Sequence, residues 1–390
     1  MARRIGPVET PPLPRQQFPV TERWTYLNHA GVSPLPIAAV EALDGYASGA
    51  AVGGSMTGDA RATRAEEVRA GAARLLGVPT GDVAFVKNTT EGLGFVANGL
   101  AWEPGDRVVV PELEFPSTLY PWLGLRDLGV VVDVVPTEGP GRCIPVSAFA
   151  ATMAAGVAPK VVATSWVQFG RGWRCDLAAL ARSCHDAGAL LCADVIQGLG
   201  VVPAELEAWG VDFAMAGAHK WLLGPEGIGV LYVRGSCLDR LRPLEPGWNS
   251  VAHREQWDNL ELVWDEGARR LEGGSHNFAG ICALGASLDL LAGAGVEEVW
   301  RHVDALCERA CAGLADAGAT VLSDRSEAGR SAIVTFALDG HDPEVVREQL
   351  LDAGIVSSAR GGGIRIAPHG YNTAEEIDHL VAAVVRLAGH

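Results

Sequence analysis

The stretch VDFAMAGAHKWLLGPEGIGVLYV, residues 211–233, sets one charged amine inside an apolar, glycine-rich run. Its two ends read as short strands, and the turn between them carries Lys220. Lysine is scarce here: the chain has 31 Lys plus Arg, yet only Lys87, Lys160 and Lys220 are lysines. A surface lysine laying its stem on apolar neighbours is the ordinary reading of such a residue. The flanks Ala218-His219 and Trp221-Leu222-Leu223 speak against it. Desolvation weakens the hold of an amine on its proton, which makes Lys220 a candidate nucleophile or base.

Outward from this turn, strand and helix patterns alternate. DVAFVKN, DRVVVP, VVVDVVP, KVVATSWVQ and ALLCADVIQ read as strands; TTEGLGFVANGL, STLYPWLGLRDLG and DLAALARSCHDAG read as helices between them. Near-continuous apolar strands separated by amphipathic helices predict an α/β fold, a mostly parallel sheet covered on both faces. Helical patterns around Ile37–Ala51 and Arg61–Leu76 come before it. Beyond about Gly280 the pattern changes to two longer helices, the strands AIVTFAL and GIRIAP, and a final helix AEEIDHLVAAVVRLAG. The reading is an extended arm over residues 1–20, a large domain over 21–279 and a small α+β domain over 280–390.

The bulk numbers exclude several function classes. With 390 residues, 48% hydrophobic and 20% charged, the chain can bury a large core. A formal charge of −16 leaves no basic stripe for a nucleic-acid backbone. No run of about 18 apolar residues is free of charges and breakers, so no membrane span is expected. The N-terminus MARRIGPVETPPLPRQQFPV lacks the apolar core of a secretory signal. The eight cysteines form no CxxC pair, and the reading is reduced, buried thiols in a cytoplasmic protein.

Dinucleotide binding is tested first, because the fold class invites it. No G-x-G-x-x-G follows the first strand, and no GxxxxGK[ST] occurs. Other features converge instead. Asp194 ends a buried apolar strand, at the edge where open α/β sheets carry their ligand crevice, with Gln197 just beyond. A strand-end aspartate is also a common helix cap. Thr89 and Thr90 stand with Asn88 at a strand-to-helix junction, which suits a phosphate. Ordinary capping, with Glu91 close behind, is the better reading of them in isolation. Lys220, on the turn after the next strand, can face the same crevice as Asp194.

A lysine able to form a Schiff base, an aspartate for a pyridinium nitrogen and a helix-end phosphate cradle are the needs of pyridoxal 5′-phosphate. The segments SWVQFGRGWRCDLAAL, ALLCADVIQGLG and VDFAMAGAHKWLLGPEGIGVLYV resemble the class V aminotransferase family, which includes cysteine desulfurases, kynureninase and isopenicillin N epimerase. The likeness runs from YLNHAGVSPLP to IRIAPHGYNTAEEIDHL. It implies a fold-type I enzyme with a seven-stranded sheet, acting as a homodimer on an amino acid. Lys220 would be the aldimine lysine and proton shuttle, and Asp194 would pair with the ring nitrogen. Gln197 and Gln168 would bond near the 3′-oxygen, and Phe115 of ELEFPS would stack on the ring. Thr89 and Thr90 would hold the phosphate, helped by Ser275 of EGGSHNF from a second subunit. Arg365 of GIRIAPHGYNT would clamp the substrate carboxylate. His29, Trp248 and Arg360 are candidates for the substrate pocket, with packing, turn and surface roles as their plain alternatives.

Two departures bear on the reaction. Gly217 stands three residues before the lysine, where the family often has a phosphate-touching serine or threonine; His219 is the candidate replacement. The segment SSARGGGIRIAPH is short and holds no cysteine, which argues against a desulfurase that passes sulfur through its own thiol. Aminotransfer or a cysteine-free C–S lyase is the leading expectation, with epimerisation as an alternative. A binding protein on the same fold is the non-enzymatic alternative, and a nicotinamide oxidoreductase another enzyme class.

Overall fold

The computed structural model describes residues 10–137 and 143–389. Its centre is a seven-stranded sheet. The strands lie side by side in the order Val83–Val86, Gly229–Val233, Phe213–Gly217, Leu190–Asp194, Val161–Ser165, Arg107–Pro111 and Val131–Val135. Gly229–Val233 runs against both neighbours, and the rest run one way. The near-continuous apolar strands have the physical reason expected of them: both faces are covered. Val109 faces one hydrophobic cluster while Val108 and Val110 face the other.

Because the parallel strands share a direction, their carboxyl ends share an edge. Asp194, Ser165, the turn after Gly217 and the Asn88 junction all meet there. The helix Thr89–Gly99 is held tight against the sheet by Gly92, where a Cβ would lie only 2.9 Å from the Met215 Cβ. That close approach keeps the first turn of the helix at the crevice.

A second sheet of four antiparallel strands follows, in the order Ser358–Arg360, Gly363–Ile366, Val334–Ala337, Thr320–Val321. Helices Val296–Asp316, Pro343–Asp352 and Ala374–Ala388 pack around it. Helix Pro343–Asp352, like Val146–Ala154 in the large sheet's layer, goes beyond the elements read from the sequence. The arm expected over residues 1–20 is docked from residue 10 on, as two short 3₁₀ turns. Leu13 and Phe18 are fully buried, Phe18 stacks on Tyr371, and Leu13 N–H donates to Gly370 O at 3.1 Å. Strand Thr25–Tyr26 then pairs with Ile355–Val356. No single described helix is long and apolar enough to cross a membrane.

Candidate active site

At the carboxyl edge of the large sheet lies a cavity of about 320 Å³ that reaches the second sheet. Lys220 enters it from the turn after Phe213–Gly217, and Arg365 from the strand Gly363–Ile366. Arg365 is buried and Lys220 half-buried, and neither makes an ion pair with a described residue.

The lysine turn is fixed from outside itself. Ser33 N–H donates to His219 O at 2.8 Å and Ser33 Oγ to Lys220 O at 2.6 Å. His369 Nε2 lies 3.1 Å from Trp221 O, while His369 Nδ1 takes the Gly370 N–H, so Nε2 is the donor. Three consecutive carbonyls are thus clamped. Leu223, just beyond, is the sole non-glycine residue with left-handed φ (57°) among the described residues. Such strain persists only where neighbours over-determine it.

Burial pushes the Lys220 amine down to about 8, Arg365 adds to the fall, and Asp194 opposes it. A measurable share is therefore neutral near pH 7. Asp194 accepts from Ile196 N–H and Thr118 Oγ1, each at 3.0 Å. Burial raises its pKa, while the Ile196 N–H, Lys220 and Thr118 pull the other way. Arg365 donates Nη1 to Phe169 O at 2.7 Å and Nη2 to Asn28 Oδ1 at 3.4 Å, but its buried Nε has no partner. Burial, then Arg360, lower it to about 10. A buried guanidinium lacking a carboxylate has donors with which it can receive one.

Most of the expected residues meet here. Asn88, Thr89, Thr90, Phe115, Asp194, Gln197, His219, Lys220, Arg360 and Arg365 all line the cavity. The first N–H groups of a helix have no acceptor within it; in Thr89–Gly99 that of Glu91 is capped by Asn88 Oδ1 at 2.9 Å, while Thr89 and Thr90 line the cavity. Phe115 places its ring centroid 5.5 Å from the Lys220 amine. Gly217 is explained by two contacts. Its N–H donates to Thr89 Oγ1 at 2.9 Å, and a Cβ there would lie 3.1 Å from the His219 ring. His219 occupies the space that a side chain at 217 needs. Gln197 spends its oxygen on Trp221 Nε1 and one N–H on Ala30 O, which leaves one N–H for a ligand.

Four expected residues lie elsewhere. Gln168 is turned away, its oxygen taken by the N–H groups of Gly170 and Arg171 and its nitrogen by Leu113 O. His29 is fully buried between Ala367 O and Tyr371 Oη, each at 2.7 Å, and packs against His369. Its role is structural, and its neighbours Ala30, Gly31 and Val32 line the cavity instead. Trp248 is 48% exposed and pairs with Trp257 on a surface loop. Ser275 lies in a separate groove beside Lys87 and Glu91. Conversely, Ser117, Ser165, Phe169 and Ser358 line the cavity, and Thr118 holds Asp194, without local patterns that announce them.

The site offers a half-buried amine, a carboxylate at the sheet edge, a helix terminus for an anion and an aromatic face. This donor set fits pyridoxal 5′-phosphate. The profile of the Aminotransferase class-V family matches residues 25–380. A probable cysteine desulfurase of Methanothermobacter thermautotrophicus is 31% identical, aligned over 96% of this chain and 97% of its own. A cysteine desulfurase of Klebsiella pneumoniae is 30% identical over 96% of this chain and 97% of its own. The apo structure of a cysteine desulfurase from Thermococcus onnurineus superposes with a TM-score of 0.87 at 25% identity, covering 97% of this chain and 98% of that one. The chain belongs to the class V aminotransferase family, whose members are enzymes that use pyridoxal phosphate.

Proposed function

We propose that this enzyme cleaves the Cβ–sulfur bond of a small α-amino acid and releases the sulfur directly, without a cysteine carrier of its own. One observation carries the reading. Lys220 and Arg365 share the cavity wall, and no cysteine among the described residues joins them. The second sheet explains why. Strands Ser358–Arg360 and Gly363–Ile366 are joined by Gly361-Gly362 alone, with φ of 65° and 84°. A two-residue turn of this kind is rigid and leaves no chain length for a mobile thiol.

The residues divide the work as follows. Arg365 takes the substrate carboxylate and fixes the amino acid relative to Lys220. Thr89, Thr90, His219 and the helix end would hold the phosphate, Phe115 would pack on the ring, and Asp194 would hold its nitrogen. Gln197 gives its remaining N–H. When bound, the cofactor supplies an electron sink that makes the Cα proton removable. Lys220 holds the cofactor, then acts as the base that takes this proton. For a cysteine skeleton, loss of the thiolate from Cβ followed by hydrolysis would yield pyruvate and ammonia.

Transamination is the second reading, favoured by Phe115. That ring has no proton to give a departing sulfur, whereas transamination asks only that Lys220 return its proton. A homodimer is also proposed, with exposed Ser275 completing the phosphate site of a second copy. A cytoplasmic location is supported by eight unpaired thiols. The deciding experiment incubates holoenzyme with cysteine, cystine and sulfur-free amino acids. Pyruvate with a released thiol or persulfide supports elimination. Pyridoxamine phosphate with a keto acid that keeps its substituent selects transamination, and loss of neither kind sinks both.

A further inference from the structure

Beside Asp194 stands a second carboxyl, half-buried, that the chemistry above leaves unused. Glu114 lies between the strand Arg107–Pro111 and Phe115. Its Oε1 accepts the Ser165 N–H at 2.7 Å and the Thr164 hydroxyl at 3.4 Å; its Oε2 is bonded to the Ser165 hydroxyl. Ser165 pairs in register with Asp194, so both side chains leave the sheet on the same side, and both line the cofactor cavity. Behind Glu114 is another cavity of about 260 Å³, lined also by Gln168, Phe169, Arg171 and Gly361. The carboxyl therefore stands in a partition, with Ser165 as its only described contact that lines the cofactor side.

The titratable and charged groups around Glu114 are Asp194 and Cys175, with Glu112 and Arg171 lining the rear cavity. Burial, aided by Asp194 and opposed by the Ser165 and Thr164 donors, holds its pKa up at about 7. An ionised carboxylate only accepts, so it claims the single O–H of Ser165. A protonated carboxyl donates to Ser165 Oγ and leaves that O–H free.

We propose that Glu114 is a positioning residue that sets the direction of the Ser165 hydroxyl, so that Ser165 donates into the cofactor cavity when Glu114 carries a proton and accepts when it does not. Glutamine at this place is a permanent donor, and Glu114→Gln copies the protonated state at every pH. The inference rests on pyridoxal phosphate occupying this cavity, and not on which substrate bond is broken.

The test is the dissociation constant of pyridoxal phosphate from the apo-protein, measured by fluorescence quenching at pH 6 and pH 8. Wild type and Glu114→Gln agree at pH 6. At pH 8, Glu114→Gln binds about 3- to 10-fold tighter, the worth of one hydrogen bond. On a Ser165→Ala background this pH-dependent gap closes. A gap that persists without the Ser165 hydroxyl, or that never opens, overturns the proposal. A wild-type readout stands in if Glu114→Gln does not fold. The carboxylic acid C=O stretch in difference infrared spectra should vanish as pH rises through about 7, with a midpoint that Ser165→Ala displaces; absence of that band has the same adverse meaning. These readings use affinity and vibration, whereas the reaction type is read from products, so the two can fail separately.

Discussion

Arg69 and Arg365 are buried cations and Lys220 is a half-buried one, but they are treated in opposite ways. Arg69 meets Glu272 through two bonds of 2.5 and 3.0 Å, reaches Glu66, and donates to Val83 O. Glu272 is itself buried and also accepts the Phe85 N–H at 2.6 Å. These carboxylates raise the pKa of Arg69 despite its burial. Lys220 and Arg365 have no such partner, and burial lowers both. An uncompensated buried charge costs stability, so it persists where a ligand supplies the missing anion. The first cation locks the helix Gly58–Leu76 to the sheet; the other two face the cavity, where the proposed ligand would meet them.

The largest effect that tests this contrast comes from Lys220→Ala. Turnover should fall by about 10²–10⁴-fold, the range for loss of a positioned base. The visible absorption band of lysine-bound cofactor should vanish, while thermal stability of the apo-protein holds or rises. A band that survives the substitution would place the cofactor on another amine.

Next come two substitutions that should diverge. Glu272→Gln leaves Arg69 with only the exposed Glu66 as a charged partner and should remove about 3 kcal/mol of unfolding free energy, read by urea denaturation. Arg365→Gln should change apo-protein stability by less than about 1 kcal/mol. Yet it should lower kcat/KM about 10–100-fold, because a charged hydrogen bond to the substrate carboxylate is worth about 1.5–3 kcal/mol. Equal destabilisation by both would erase the distinction between a locking cation and a receiving one.

The same contrast explains how much could be read from sequence. Lys220, Asp194, Thr89 and Thr90 sit where apolar strands end, and strand ends are visible as breaks in a hydrophobic run. The parallel direction of those strands then brings the ends together. Arg365 came from motif likeness and needed a second sheet to deliver it. Gln168 failed because the chain folds back at Gly170 and consumes its amide, a local turn that residue type does not announce. His29 has the chemistry of a catalytic residue, but its partners Ala367 and Tyr371 lie over 330 residues away. Glu114, Thr118 and Ser33 act through partners 51, 76 and 187 positions distant, so no local pattern marks them.

Ser33 gives the smallest and finest test. Its hydroxyl holds the carbonyl of Lys220, while its own backbone N–H holds that of His219. In Ser33→Ala the backbone bond remains, and Leu223 N–H still reaches Lys220 O at 3.0 Å. The turn therefore stays in place and only the aim of the lysine loosens. Loss of one hydroxyl bond is worth about 0.5–1.5 kcal/mol, or about 3–10-fold in kcat. KM should stay level and cofactor affinity should fall by less than kcat, because Arg365, Thr89 and Thr90 lie on other segments. Ser33→Thr, which restores the hydroxyl, should recover kcat. A parallel fall in cofactor affinity would show instead that Ser33 supports the whole site, and the clamp on the lysine turn would then be scaffold alone.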